Sequence, residues 1–247
     1  MTMLQAVLRR LGASVVLLQW FGNLVLILLA FAWLQIPDSH AWQFLFSLLT
    51  AAVLILAFIN LHARTFRKLL AAPPNASRWL RLLVLLAVVI LGYFLLQLIG
   101  VGRSHETLFA GYWNSKFSAG QRNVFTFQRL VQWQDYCYDL LKWLLGALLL
   151  PVAFVGAGRG LRGSCPPIRR IYGHLTYWLL VVIFGLAGSY ITSSLAGWAP
   201  GHSTAVEIVS VLLRLGLAYT LNILLWCFVL ALMAIYAAKT LTMEPEL

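Results

Sequence analysis

The chain has 247 residues, of which 62% are hydrophobic and only 10% charged, against about 45–50% apolar and roughly 25% charged in an ordinary soluble domain. That composition excludes a soluble globular enzyme, a disordered chain and a disulfide-stapled secreted domain, and it leaves an integral membrane protein. The formal charge is nonetheless +11, from 18 Lys and Arg against 7 Asp and Glu.

Taken in chain order, Leu4, Val7, Leu8 and Leu11 share one helical face with Arg9 and Arg10 off it, the pattern of a short interfacial helix. A hydrocarbon core about 30 Å thick takes about 20 apolar residues in a helix. Six segments meet or approach that length: 13–36, 41–61, 82–101, 140–158, 175–198 and 213–238. The first is expected as a retained span, because its uncharged run is much longer than the apolar region of a signal peptide, about 7–15 residues. Pro73-Pro74-Asn75 breaks the second-to-third connection, and Ser77 is a candidate cap for the helix that follows. Residues 65–72 could form a short helix touching a partner.

The connection 102–139 is the longest and is unusually aromatic. Turns are expected at Gly111-Tyr112-Trp113-Asn114 and Ser118-Ala119-Gly120. Val124, Phe127, Leu130, Val131 and Gln134 then fall at helical spacing, which predicts an amphipathic outer helix leading into the fourth span. Two readings of it stand: an interfacial belt of Trp and Tyr, or a docking surface for a partner or lipid. The fourth span is the weakest, because Lys142 and the helix-bending Pro151 lie within it. Nowhere do apolar and polar residues alternate over about ten positions, as a transmembrane β-barrel requires. The expected fold is all-α: a single transmembrane domain of six helices, with an interfacial N-terminal helix and an amphipathic outer helix before the fourth span.

Basic residues near span ends set orientation. One side carries Arg9 and Arg10, then Arg64, Arg67, Lys68, Arg78 and Arg81, then Arg159, Arg162, Arg169 and Arg170, and finally Lys239; its acids are Glu244 and Glu246. On the other side Arg103, Lys116, Arg122, Arg129, Lys142 and Arg214 are nearly balanced by Asp38, Glu106, Asp135, Asp139 and Glu207. Nearly all of the net charge is thus an orientation signal, with both termini cytoplasmic in a plasma or inner membrane. Arg64, Arg67, Lys68, Arg159, Arg162, Arg169 and Arg170 are expected to attract anionic headgroups, at about 1 kcal/mol per basic residue. Nucleic acid is not an expected partner.

Candidate chemistry is sparse. Gly158-Arg159-Gly160-Leu161-Arg162-Gly163 fits the dinucleotide pattern of spaced glycines, but it follows a membrane helix and precedes Pro166-Pro167, so it reads as an inner loop. Cys137, Cys165 and Cys227 fall at three depths, which argues against a disulfide or a cysteine metal site. The histidines read as interfacial; His40 and His62 bracket the second span rather than facing each other within it. No cofactor is expected. Gly185, Ser189, Ser193 and Gly197 recur every four residues along the fifth span and form a small-residue stripe that suits close helix packing, within the chain or with a partner or second copy. The sharpest signal is an intramembrane polar network of Asp135, Asp139, Lys142, Glu207, Arg214 and Asn222. Asp139 with Arg214 is one candidate cross-helix pair, read either as structural pairing and snorkelling or as a functional site.

Three function classes follow. The first is an accessory, structural or transport-related subunit of a membrane assembly. The second is a permease subunit working with a cytoplasmic ATPase, and the third a membrane enzyme acting on a lipid-linked substrate at the outer face. The non-enzymatic classes stand first, since no catalytic constellation is apparent in the sequence.

Overall fold

The computed structural model describes residues 3–37, 39–70, 78–160, 164–197 and 203–238, without the side chains of Met3, Leu4 and Arg78. Its helices run α1 Met3–Arg10, α2 Ala13–Leu34, α3 Ala41–Leu70, α4 Arg78–Ser104, α5 Glu106–Lys116, α6 Ala119–Val124, α7 Phe127–Arg159, α8 Cys165–Gly173, α9 Leu175–Gly197 and α10 Thr204–Ala238. Six of them, α2, α3, α4, α7, α9 and α10, are long and apolar enough to cross a membrane. The fold is therefore that of an all-α polytopic membrane protein. The spans alternate in direction, so α1 and the end of α10 share one face, the α1 face. The linkers α5 and α6 lie at the opposite, α5 face.

Several helices outrun the hydrophobic segments that announce them. α3 continues past residue 61 to Leu70 because its last turns remain amphipathic: Ala63, Phe66, Leu69 and Leu70 point inward while Arg64 and Lys68 stay exposed. The stretch expected to meet a partner therefore packs within the chain as far as Leu70, and residues 71 and 72 lie outside the described part. α7 has 33 residues, about 50 Å at 1.5 Å per residue. The amphipathic outer helix is its first part rather than a separate element. Thr126 caps it by accepting from the Arg129 N–H, and the helix runs unbroken into the fourth span. Two expected turns are also relocated. Gly111–Asn114 lies inside α5, and the chain reverses at Phe117–Ser118, where the Ser118 N–H donates to Gln121 Oε1 at 3.0 Å.

Pro151 sits inside α7. It lacks the N–H that would bond to the Ala147 carbonyl, and its ring disturbs the same turn. A tyrosine answers the freed carbonyl, and a second bonds its neighbour. Tyr177 of α9 donates to the Ala147 oxygen at 2.6 Å, and Tyr172 of α8 donates to that of Leu148. The Tyr172 hydroxyl stays protonated, since burial raises it above the ordinary phenol range. A backbone group left bare in lipid is expensive, so these contacts make the proline tolerable.

The α1 face is the packed half. α10 contacts α1, α2, α3, α7, α8 and α9, and Leu230, Ala231, Leu232, Met233 and Ala234 near its end are fully buried. α1 is fastened there. Its Val7 is fully buried, so that side chain packs on protein rather than lipid, and Arg10 Nε donates to the Leu69 carbonyl at the end of α3, at 3.0 Å. Between α2 and α3 the buried Gln19 donates to Thr65 Oγ1 at 2.5 Å. α2 also meets α10, where Trp20 Nε1 donates to Thr220 Oγ1 at 3.1 Å and Tyr219 donates to the Trp20 carbonyl. The α7 C-terminus stops at Gly160, whose φ of 88° favours glycine.

Candidate functional site

Above the packed floor, α3, α4, α7, α9 and α10 separate around a cavity of about 430 Å³. Phe66, Leu85, Ala153, Val181 and Val229 form its base, and Trp143, Phe184 and Leu225 are among its walls. Gly146 opens onto it: a Cβ built there meets nothing within 4 Å. The lining is almost entirely apolar; beside the Trp143 indole, its polar side chains are His62, Asn222 and Trp226. His62 of α3 lies with Nδ1 3.1 Å from the Phe58 carbonyl; a neutral ring donating there keeps Nε2 as an acceptor. Its ring centroid is 6.0 Å from that of Trp226 on α10. Trp226 Nε1 is buried without a hydrogen-bond acceptor among the described residues. Asn222, one turn away, donates to Thr192 Oγ1 at 2.9 Å and to the Ala218 carbonyl at 2.8 Å.

The expected polar network divides into separate groups. Asp135, Asp139 and Lys142 gather at the α5 face around a cation that sequence reading counted only toward charge balance, Arg103 of α4. Arg103 reaches Asp135 at 2.5 Å, Asp139 at 3.5 Å and Glu106 at 4.0 Å, and Lys142 meets Asp139 at 3.1 Å. These groups are a third or more exposed, apart from Glu106, so the cluster is a solvated tether between α4, α5 and α7. Asp139 with Arg214 is not among the ion pairs of the described residues. Arg214, only 8% exposed, instead donates to the Leu195 carbonyl at 2.9 Å and to that of Ser210 at 3.1 Å, covering an orphan carbonyl in the last turn of α9. Glu207 lies half-buried in the first turn of α10, near the positive end of that helix. Asn222 belongs to the cavity.

The small-residue stripe of α9 also divides. Gly185 is buried against the Trp143 indole. Ser189, Ser193 and Gly197 are exposed, and Ser193 donates back to its own helix at the Tyr190 carbonyl. The internal seam instead runs Gly185–Gly188, with Asn222 Oδ1 pressed over Gly188 and Asn222 Nδ2 reaching the exposed Thr192 hydroxyl. Spacing alone could not separate the two faces, because every residue involved is small.

On the α1 face Arg64, Lys68 and Arg169 are exposed, and Arg67, Arg159 and Arg170 are half-buried. Arg162 lies outside the described residues, as do Pro73, Ser77, Asp38 and Lys239. Cys137, Cys165 and Cys227 are free thiols. Among the described residues no group of three His, Cys, Asp or Glu gathers as metal ligands would. Of the cavity polar groups, Asn222 was among the expected residues, whereas His62 and Trp226 were not expected as part of a site. The signal available for them was the spacing 222, 225, 226, 229 on α10 and 58, 62, 66 on α3, each a single helical face mixing aromatic with hydrogen-bonding side chains. Comparison with protein-family models, curated proteins and solved structures finds no match. What characterises the chain is therefore its own architecture: it is a multi-pass, all-α integral membrane protein.

Proposed function

We propose that this protein is a transport-related or accessory subunit of a membrane assembly, and that it holds a lipophilic ligand inside its bundle. The observation that carries the reading is the 430 Å³ cavity with Trp226 Nε1 buried and unmet at its wall. Ligand sites are typically concave, mostly apolar, about 300–1,000 Å³ in volume and supplied with a few placed polar groups. A ligand suited to this one is apolar over most of its surface and carries a carbonyl or ether oxygen to accept from Trp226. The basic α1 face supports a cytoplasmic position for that side of the bundle.

The test is the lipophilic load retained through purification in mild detergent and measured by solvent extraction and mass spectrometry. Gly146→Phe starts its side chain in open space, with nothing within 4 Å of the Cβ, and sends a ring toward the cavity. It should cut the retained molecule at least tenfold while leaving the melting temperature unchanged or raised. Trp226→Phe keeps the shape and removes the donor, and should weaken retention by a smaller factor of about five, as loss of one hydrogen bond implies. Equal loads in wild type and Gly146→Phe would sink the reading.

A further inference from the structure

Arg81, Val84, Leu85 and Val88 fall at i, i+3, i+4 and i+7 on α4, the face that packs on α7, where Val84 closes over Gly156. The first member of this inward stripe is a cation. Arg81 is 5% exposed, and its Nη1 is buried without an acceptor. Among the described residues its guanidinium makes no hydrogen bond or ion pair. Among the described residues the charge that acts on it is Arg67 in the last turn of α3, which repels it. The described acids, Glu106, Asp135, Asp139 and Glu207, all belong to elements at the α5 face. Arg81 also stands in the first turn of α4, the end of a helix at which a cation is disfavoured. An arginine cannot escape by losing its proton, and a buried charge without a partner is costly. Burial, a like charge and the helix dipole thus all act against this side chain, and an anion would reverse each of them.

We propose that Arg81, with Arg67 as second cation, holds a phosphate group at the α1 face, where the last turn of α3 meets the first turn of α4. A guanidinium fork matches phosphate oxygens in geometry and charge, and the positive end of the α4 dipole favours an anion there. The apolar part of α4 begins immediately after Arg81, so Arg81 lies at headgroup level. The phosphate is that of a phospholipid headgroup or a free ion, and the chemistry of the site is the same for both. This site is separate from the cavity and stands or falls without it.

The experiment follows thermal unfolding of the full chain in neutral detergent. It is titrated at fixed ionic strength with inorganic phosphate, with dioctanoyl phosphatidylglycerol, and with dioctanoylglycerol, which has the same tails and no phosphate. The wild type should be stabilised saturably by a phosphate-bearing probe and not by dioctanoylglycerol. A response to inorganic phosphate identifies a free ion; a response to phosphatidylglycerol alone identifies the headgroup. Arg81→Gln should weaken the apparent affinity at least tenfold, with Arg81→Lys between it and wild type. Arg67→Gln, which leaves Arg81 in place, should weaken it about threefold and decides the matter if Arg81→Gln does not fold. Equal affinity in the folded variants and wild type overturns the proposal. So does a wild-type protein that neither retains phosphorus through purification nor responds to either phosphate-bearing probe.

Discussion

Near the α1 face the last turns of α10 are enclosed on every side, with Leu230 through Ala234 fully buried; at the other end of the same helix Leu212 and Leu213 are 65% and 70% exposed. Both ends are strongly apolar, so hydropathy does not distinguish them. Lipid tails are as apolar as leucine, and helices in a membrane associate through close packing and hydrogen bonds. The packed half has both. Ala231, Ala234 and Ala237 on α10, and Ala153, Gly156, Ala157 and Gly158 on α7, let backbones approach. Gln19 with Thr65, and Tyr177 with the Ala147 carbonyl, add buried hydrogen bonds. The α5 half presents Leu, Phe and Trp to lipid and ties its helices with partly solvated ion pairs. The cavity lies where the first regime gives way to the second.

Four substitutions test that contrast, in decreasing order of effect on unfolding in detergent, the first paired with a control, Gly100→Leu. Gly158→Leu drives a side chain into Leu70 on α3, where even a Cβ collides. It should cost about 3 kcal/mol, the upper end of overpacking, or prevent folding. Gly100→Leu, with nothing within 4 Å of its Cβ, should cost no more than a few tenths of that; equal losses at the two sites would erase the distinction between the halves. Gln19→Leu leaves the Thr65 hydroxyl without its buried donor and should cost about 1–2 kcal/mol. A cycle with Thr65→Val should then show the two losses to be less than additive.

Tyr177→Phe uncovers the Ala147 carbonyl and should cost about 1 kcal/mol. In a Pro151→Ala background the restored N–H at 151 can satisfy that carbonyl. The same tyrosine change should then cost clearly less, and an unchanged cost would show that the hydroxyl is not answering the proline. Arg103→Leu, in the solvated cluster, should cost about 0.5 kcal/mol, and the loss should fade as salt is raised. A loss above about 2 kcal/mol, insensitive to salt, would mean that the α5 half is held as tightly as the other.

The six spans were legible because each is an apolar run near the thickness of a bilayer. Their true ends were less so. Residues 62–70 mix Arg64, Arg67 and Lys68 with Ala63, Phe66, Leu69 and Leu70, and only a partner surface decides that the second set is buried. The pairing of the polar residues was not legible. Asp135, Asp139 and Lys142 do share one cluster, but Arg103 joins it from 32 residues away, and Arg214 turns to a helix end instead. A backbone carbonyl such as that of Leu195 carries no signature in sequence. His62 read as an interfacial histidine, because the neighbours that make it part of a cavity wall come from α10 and α7.

Composition, span length and the placement of arginines determined, without any structure, that this is an all-α membrane protein whose basic residues are concentrated on one face. Those features depend on how each residue partitions between water and hydrocarbon, which is a local property. Tertiary structure alone decided that one half of the bundle is packed and the other open, that a tyrosine answers a proline, and that Arg81 is buried with no acid paired to it among the described residues. Each of these depends on which helices meet, and in a chain this uniformly apolar many different pairings present the same hydropathy.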